Sequence, residues 1–175
     1  MITLVKADIC TIEADAIVNA ANETLEGGGG VDGCIHAMAG PQLLEKCREF
    51  PIKPLQNSKV VDVGRCDVGE VIVTPSYQIK TCSYIFHTVS PILDENGNPN
   101  DNHLRLCYQN CLNKASEMHI EKIAFCCIGT GFYGFPHERA AFIAVETAKL
   151  YPNLNIIFSV IDDIDSDSYQ KLLMG

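Results

Sequence analysis

Two glycine-rich segments, and the side chains that frame them, carry the chemistry legible in this sequence. The first is Asn19-Ala20-Ala21-Asn22-Glu23-Thr24-Leu25-Glu26-Gly27-Gly28-Gly29-Gly30-Val31-Asp32-Gly33. Four consecutive glycines free the backbone for positive φ and leave no Cβ in the way. A loop of this kind that opens onto a helix can wrap a phosphate with backbone N–H groups. It is neither a GxGxxG nor a GxxxxGKS/T loop, because no lysine follows it. The second segment is Ile128-Gly129-Thr130-Gly131-Phe132-Tyr133-Gly134-Phe135-Pro136, where glycines alternate with aromatics and combine close backbone approach with apolar walls. Asn22 offers a donor and an acceptor that could fix sugar hydroxyls. Asp32, beside a bound phosphate, would hold a proton more readily than usual and could orient or deprotonate water as a general base.

Each of these residues also has a plainer role open to it. Asp8 could cap a turn after the first strand, and Asn22 could simply form a turn. Asp32 could be the N-cap of the helix that follows. His36, one helical turn after Asp32, reads as a brace for the loop. His87, in an apolar strand run, reads as a hydrogen-bonded core histidine. Cys34 falls in a first helical turn, where thiolate character can rise, but most buried thiols are inert.

Both loops must be positioned by the elements around them. The apolar runs predict strands at Ile2–Ala7, Ala16–Ala20, Val71–Thr74, Tyr84–Val89, Lys122–Ile128 and Asn155–Ile161. Helical periodicity predicts Val31–Ala39, Leu43–Phe50, His103–Met118, Pro136–Leu150 and Ser168–Met174. Continuously apolar strands such as Ile123–Ile128 suit a sheet covered on both faces. The alternation favours a layered α/β fold. In an open α/β sheet, ligands bind at the carboxyl ends of the strands. Both loops would sit there and could hold a diphosphate between them. The segment from Asp94 to Asp101 reads as a solvated connection.

With 175 residues, 47% of them hydrophobic, the chain is expected to form one ordinary domain over 1–175 with a packed core. Its 13 Lys and Arg against 22 Asp and Glu give a net charge of −9, which argues against non-specific binding to nucleic acid or to an anionic membrane. An anionic ligand must then be held by something other than a lysine patch. No stretch reads as a signal peptide or a membrane span. The nine cysteines are odd in number and lie partly inside strand patterns, so we expect reduced core thiols and an intracellular, cytoplasmic location. No CxxC pair occurs, so structural zinc is not expected.

Taken in order, several segments resemble the macrodomain pattern. They are Asp8-Ile9, Asp15–Asn22, Gly27–Gly30 with Val31-Asp32-Gly33-Cys34-Ile35-His36, His87-Thr88-Val89-Ser90-Pro91, and Gly129–Pro136. The stretch from Gly27 to His36 is similar to the MacroD-type hydrolase subgroup, and the resemblance runs from about Val5 to about Leu173. It implies a three-layer α/β/α sandwich with a mixed, mostly parallel central sheet. It also implies an ADP-ribose-binding hydrolase that removes mono-ADP-ribose from acidic side chains of proteins. Such enzymes also deacetylate O-acetyl-ADP-ribose and need no metal or other cofactor. The alternative is a non-catalytic ADP-ribose reader. The partners implied are ADP-ribose and mono-ADP-ribosylated proteins, for a chain expected to be monomeric.

By position, the resemblance makes Asp8 the acceptor for the adenine amino group, with Ile9 beside it. Asn22 and Asp32 become the catalytic residues, Asn22 at the distal ribose. Gly28, Gly29, Gly30 and Val31 wrap the diphosphate from one side, next to Ala21. Ile128, Gly129, Thr130, Gly131, Phe132 and Tyr133 do so from the other, and Ile161 covers the adenine. Some positions depart from the pattern. Ile161 stands where an aromatic often stacks on adenine, and Gly129 where serine is frequent. Ser90 replaces a common glycine, Tyr133 a frequent phenylalanine, and Ala7 a usual glycine.

Overall fold

The computed structural model describes residues 1–175. A six-stranded sheet is built from β1 (Ile2–Lys6), β2 (Ala16–Ala21), β5 (Val71–Pro75), β6 (Tyr84–Val89), β7 (Lys122–Phe125) and β8 (Asn155–Val160). Their order is β1-β8-β7-β2-β6-β5, parallel throughout except for the antiparallel edge pair β5–β6. Helices α1 (Gly30–Ala39) and α2 (Pro41–Arg48) pack together on one side. Helices α3 (Asp101–Glu117), α4 (His137–Ala148) and α5 (Asp163–Met174) pack side by side on the other. The result is a three-layer α/β/α sandwich. A short ribbon, β3 (Lys53–Pro54) with β4 (Val63–Gly64), stands apart from the main sheet; its two-residue strands are too short to leave a periodic signal.

Parallel strands covered on both faces must be apolar throughout, and Ala16, Ile17, Val18, Ile123, Ala124 and Phe125 are all fully buried. Under α3 and α5, Tyr108, Phe125, Phe158 and Tyr169 stack in tilted pairs, with ring centroids 5.1 Å (Tyr108–Phe125), 5.9 Å (Phe125–Phe158) and 4.8 Å (Phe158–Tyr169) apart. Seven cysteines are buried, Cys127 is half-buried and Cys34 exposed, and all nine are free thiols. No helix is long and apolar enough to cross a membrane.

Most element boundaries fall within two residues of the sequence expectation; two differ by three or more, and both bear on the site. Strand β7 stops at Phe125, three residues before Ile128. Its pairing with β2 ends at Val18↔Phe125, while β2 runs on beside β6 as far as Ala21↔Val89. On the other side, β8 continues beside β1 to Val160. The middle strand is therefore the short one, and its early end leaves a notch between Ala20-Ala21 and Ser159-Val160. Helix α5 begins at Asp163 rather than Ser168, because the Asp162 carboxylate caps it, accepting from the Asp165 N–H at 2.8 Å. This ends the preceding strand at Val160 and leaves Ile161 outside the sheet.

Candidate functional site

The notch opens into a cleft of two lobes, of about 500 Å³ and about 650 Å³. The lobes meet at Gly30, Val31, Cys127 and Gly131. Asn22, Asp32, Ala21, Gly28, Gly29, Gly129, Phe132 and Tyr133 line the smaller lobe. Asp8, Ile9, Thr130 and Ile161 line the larger one. Every residue expected at the site is thus brought to one cleft except Ile128. Its side chain is wholly buried in the apolar core, because the chain leaving β7 turns it inward before the loop begins. No Lys, Arg or His side chain lines either lobe.

The first glycine loop is held by Asn22. Its Nδ2 donates to the Gly27 carbonyl at 2.9 Å, and its Oδ1 accepts from Thr24 Oγ1 at 2.9 Å and from the Leu25 N–H at 3.1 Å. Asn22 is therefore a turn former and a wall of the cleft at once. Helix α1 then starts against the loop: a Cβ on Gly33 would lie only 2.5 Å from the Gly28 carbonyl oxygen. Gly29 is the N-cap and supplies no side-chain cap, so no side chain claims the first-turn N–H groups. Unclaimed N–H groups at a helix start are an anion site.

Asp32 lies inside that first turn and is not the N-cap. It is 5% exposed. Asn19 Nδ2 donates to its Oδ1 at 2.7 Å, and His36 Nε2 stands 3.5 Å away. Burial raises the Asp32 pKa above the ordinary carboxylate range, against the opposing pull of Asn19 and His36. His36 also packs under Gly27, whose Cβ would lie 3.6 Å from the imidazole, so it does brace the loop.

Behind Asp32 runs a buried line of polar groups. A carboxylate oxygen only accepts, so the nitrogen of Asn19 must face Asp32. The same nitrogen donates to His87 Nδ1 at 3.1 Å. The proton of His87 is therefore on Nε2, which donates to Thr74 Oγ1 at 2.9 Å. Burial holds the His87 pKa down at about 3, so it is a neutral core histidine, as its strand setting predicts.

The second loop turns at Gly129, whose φ of +87° suits glycine. A Cβ there would also lie 2.7 Å from Ser90 Oγ. The two departures at 90 and 129 therefore answer one another, since the Ser90 hydroxyl fills the space that a side chain at 129 would need. The Phe135 N–H donates to the Gly129 carbonyl at 2.9 Å and closes the turn. Phe132 is fully exposed at the rim. Tyr133 is half-buried, and its pKa is raised by burial first and by the charges of Glu23 and Asp32 second.

At the outer end, Asp8 accepts from the Cys10 N–H at 2.9 Å, so the turn-capping role is real and uses Oδ1. Ile161 is 71% exposed and offers an open apolar surface to the larger lobe. Asn19, Ser90, Cys127 and Asp165 also shape the site, although sequence reasoning gave them no role. Asp165 accepts from Thr130 Oγ1 at 3.3 Å and pairs with His137 at 2.5 Å, which ties the second loop to α4 and α5. The signal for Asn19 was a polar residue inside an otherwise apolar strand. No group of three or more His, Cys, Asp or Glu side chains is placed to hold a metal ion.

Comparison with known proteins bears on the family and the fold. The family model described as Macro domain matches residues 18–144. An ADP-ribose glycohydrolase MACROD2 of Xenopus laevis is 41% identical over 98% of this chain, which spans only 40% of that relative's length. A macro domain-containing protein of Chlorobaculum tepidum is 43% identical, covering 99% of this chain and 95% of its own. Among solved structures, the Trypanosoma brucei macrodomain in complex with ADP-ribose superposes with a TM-score of 0.85 at 33% identity, covering 98% of this chain and 68% of that one. The Oceanobacillus iheyensis macrodomain with ADP does so with a TM-score of 0.85 at 35% identity, covering 98% and 88%. By sequence and by fold, the chain belongs to the Macro domain family.

Proposed function

We propose that this chain is a MacroD-type hydrolase. It binds ADP-ribose along the two-lobed cleft and releases mono-ADP-ribose from acidic side chains of proteins. One observation carries the reading: a buried carboxylate of raised pKa, Asp32, stands in the lobe where both glycine loops converge. The adenine lies in the larger lobe, near Asp8 and Ile161. The diphosphate meets the N–H groups of the two loops, and the distal ribose reaches Asn22 and Asp32. Asp32 orients a water and accepts its proton. The water oxygen bonds to the ribose C1″ as the C1″–O ester bond breaks, so the protein carboxylate leaves and free ADP-ribose forms. The same chemistry releases acetate from O-acetyl-ADP-ribose that carries its acetyl group on the C1″ oxygen, the C1″–O bond breaking as the water oxygen bonds to C1″. A water, a base and the ligand's own phosphate suffice, so the reaction needs no metal.

The test is incubation with a glutamate-linked mono-ADP-ribosylated protein, with calorimetric titration of ADP-ribose alongside. Release of ADP-ribose is expected. Tight binding without any release would overturn the hydrolase reading in favour of a reader.

A further inference from the structure

A third cavity, of about 280 Å³, lies beyond the cleft. The three cavities follow the order of the sheet. The larger lobe sits at the ends of β1, β8 and β7, and the smaller lobe at the ends of β7, β2 and β6. The third sits beyond the ends of β2 and β6, next to the start of β5. The third cavity touches the smaller lobe at Ser90 and shares no residue with the larger one. A ligand lying along the cleft with its reacting end at Asp32 therefore directs whatever it carries past Ser90.

The wall of this cavity is held in place by the fold. Glu23, next in the chain to Asn22, is only 4% exposed. Its Oε2 accepts from Ser58 Oγ, while its Oε1 accepts no hydrogen bond. The loop that carries Ser58 is pinned in turn: the N–H groups of Gln56, Asn57 and Ser58 donate to the Asp67 carboxylate at 2.7, 3.0 and 2.9 Å. That leaves an acceptor oxygen open to the cavity, fixed in position by its partner oxygen and free to take a donor from a ligand. The other charges of the cavity do not favour a phosphate, because Arg139 is already paired with Asp101 at 2.6 Å and Lys59 acts on the carboxylate of Asp94. A peptide backbone supplies N–H donors and needs no positive site.

We infer that the third cavity receives the peptide segment bearing the modified acidic side chain, with Glu23 Oε1 accepting one of its backbone N–H groups. This rests on the hydrolase reading above, and it makes the protein part of the substrate a determinant of specificity. The test compares two substrates that share the cleft and the chemistry. One is a glutamate-linked mono-ADP-ribosylated peptide, and the other is O-acetyl-ADP-ribose, whose leaving group is too small to reach Glu23. Two variants serve: Glu23→Gln, and Val60→Trp, which fills the cavity from a position already 57% exposed. In both, KM for the peptide is expected to rise about tenfold or more, as for loss of a charge-assisted hydrogen bond or of the space itself. KM for O-acetyl-ADP-ribose and the affinity for ADP-ribose should stay within about twofold. An unchanged peptide KM in Val60→Trp overturns the inference, as does an equal rise on both substrates. If the wild type binds ADP-ribose but cleaves neither substrate, the hydrolase reading itself falls, and this inference with it.

Discussion

Replacing Gly33 with alanine puts a methyl group 2.5 Å from the Gly28 carbonyl oxygen, where ordinary contact begins at 3.4 Å. The difference, 3.4 − 2.5 = 0.9 Å, must be taken up by one side of the contact. Gly33 lies within α1, whose Ile35 and Ala39 are buried in the core, whereas Gly28 is exposed in the loop. The loop therefore gives way, and it carries with it the N–H groups proposed to hold the diphosphate. A misplacement of about 1 Å at a reacting centre costs on the order of 10²-fold in rate. Stability responds differently. Alanine in a helix interior gains roughly 1 kcal/mol over glycine, against an overpacking cost of about 1–3 kcal/mol that a yielding loop largely relieves. The net change should stay within roughly 1 kcal/mol, or about 2–4 °C in Tm for a chain of this size. The assay is release of ADP-ribose from a glutamate-linked substrate, with a thermal melt of the same preparation. Turnover within about threefold of wild type would refute the reasoning, because the required displacement would then not reach the ligand. A fall in Tm beyond about 10 °C would refute it from the other side, by placing the cost in the fold.

Further expectations follow from the same geometry. Asp32→Asn keeps an acceptor for Asn19 but removes the base, so turnover should fall by about 10²–10⁴-fold with ADP-ribose affinity little changed. The raised Asp32 pKa means that the folded state holds this proton more tightly than the unfolded chain, so wild-type stability falls as pH rises from 3.8 through the folded pKa. Asp32→Asn should therefore melt above wild type at neutral pH, and the advantage should vanish below pH 3.8; a lower melting point at neutral pH would contradict this. Gly129→Ala should destabilise by about 2–4 kcal/mol through positive φ and the Ser90 clash, and adding Ser90→Gly should recover about 1–2 kcal/mol of it in a urea double-mutant cycle. Strict additivity would deny the coupling. With no cationic side chain in either lobe, the Kd for ADP-ribose should change by less than about threefold over a tenfold change in salt, and a steep dependence by calorimetry would reveal a cation at the diphosphate. Ile161→Phe should tighten ADP-ribose binding by about 2–10-fold if adenine lies against this position, and unchanged affinity would move the adenine elsewhere.

What the sequence made legible tracks how local each signal is. The apolar stripe of α3 and the run of β6 reflect burial along one element, and both appear where periodicity puts them. The end of β7 does not, because Cys126-Cys127-Ile128 is as apolar as a strand. The strand's end shows only in the pairing, which stops at Phe125 on both sides while β2 and β8 run on beside β6 and β1, a property of segments far apart in the chain. The start of α5 had a local signal in Asp162 as N-cap, but the polar residues around it mask the periodicity. At the site, the glycine loops with Asn22 and Asp32 could be read because the backbone itself does the work there. The partners of Asp32 could not: Asn19 and His87 sit on different strands and meet only through the register Asn19↔His87. The exchange of serine and glycine between 90 and 129 shows as two unrelated departures until the fold sets the Ser90 hydroxyl 2.7 Å from where a Cβ at 129 would lie.

The line from Asp32 through Asn19 and His87 to Thr74 crosses β2, β6 and the edge strand β5. It gives the carboxylate a datum fixed in the sheet, while the loops only set the ligand against that datum. The functional footprint is accordingly wider than the cleft. Thr74 touches neither lobe, yet it accepts from the Nε2–H that Asn19 leaves on His87, and so anchors the far end of the line that holds Asp32. Changes in the loops shift the ligand's alignment and residence time. On the proposed hydrolase reading, changes along the buried line alter the reference itself, leaving the lining of the cleft intact and lowering turnover.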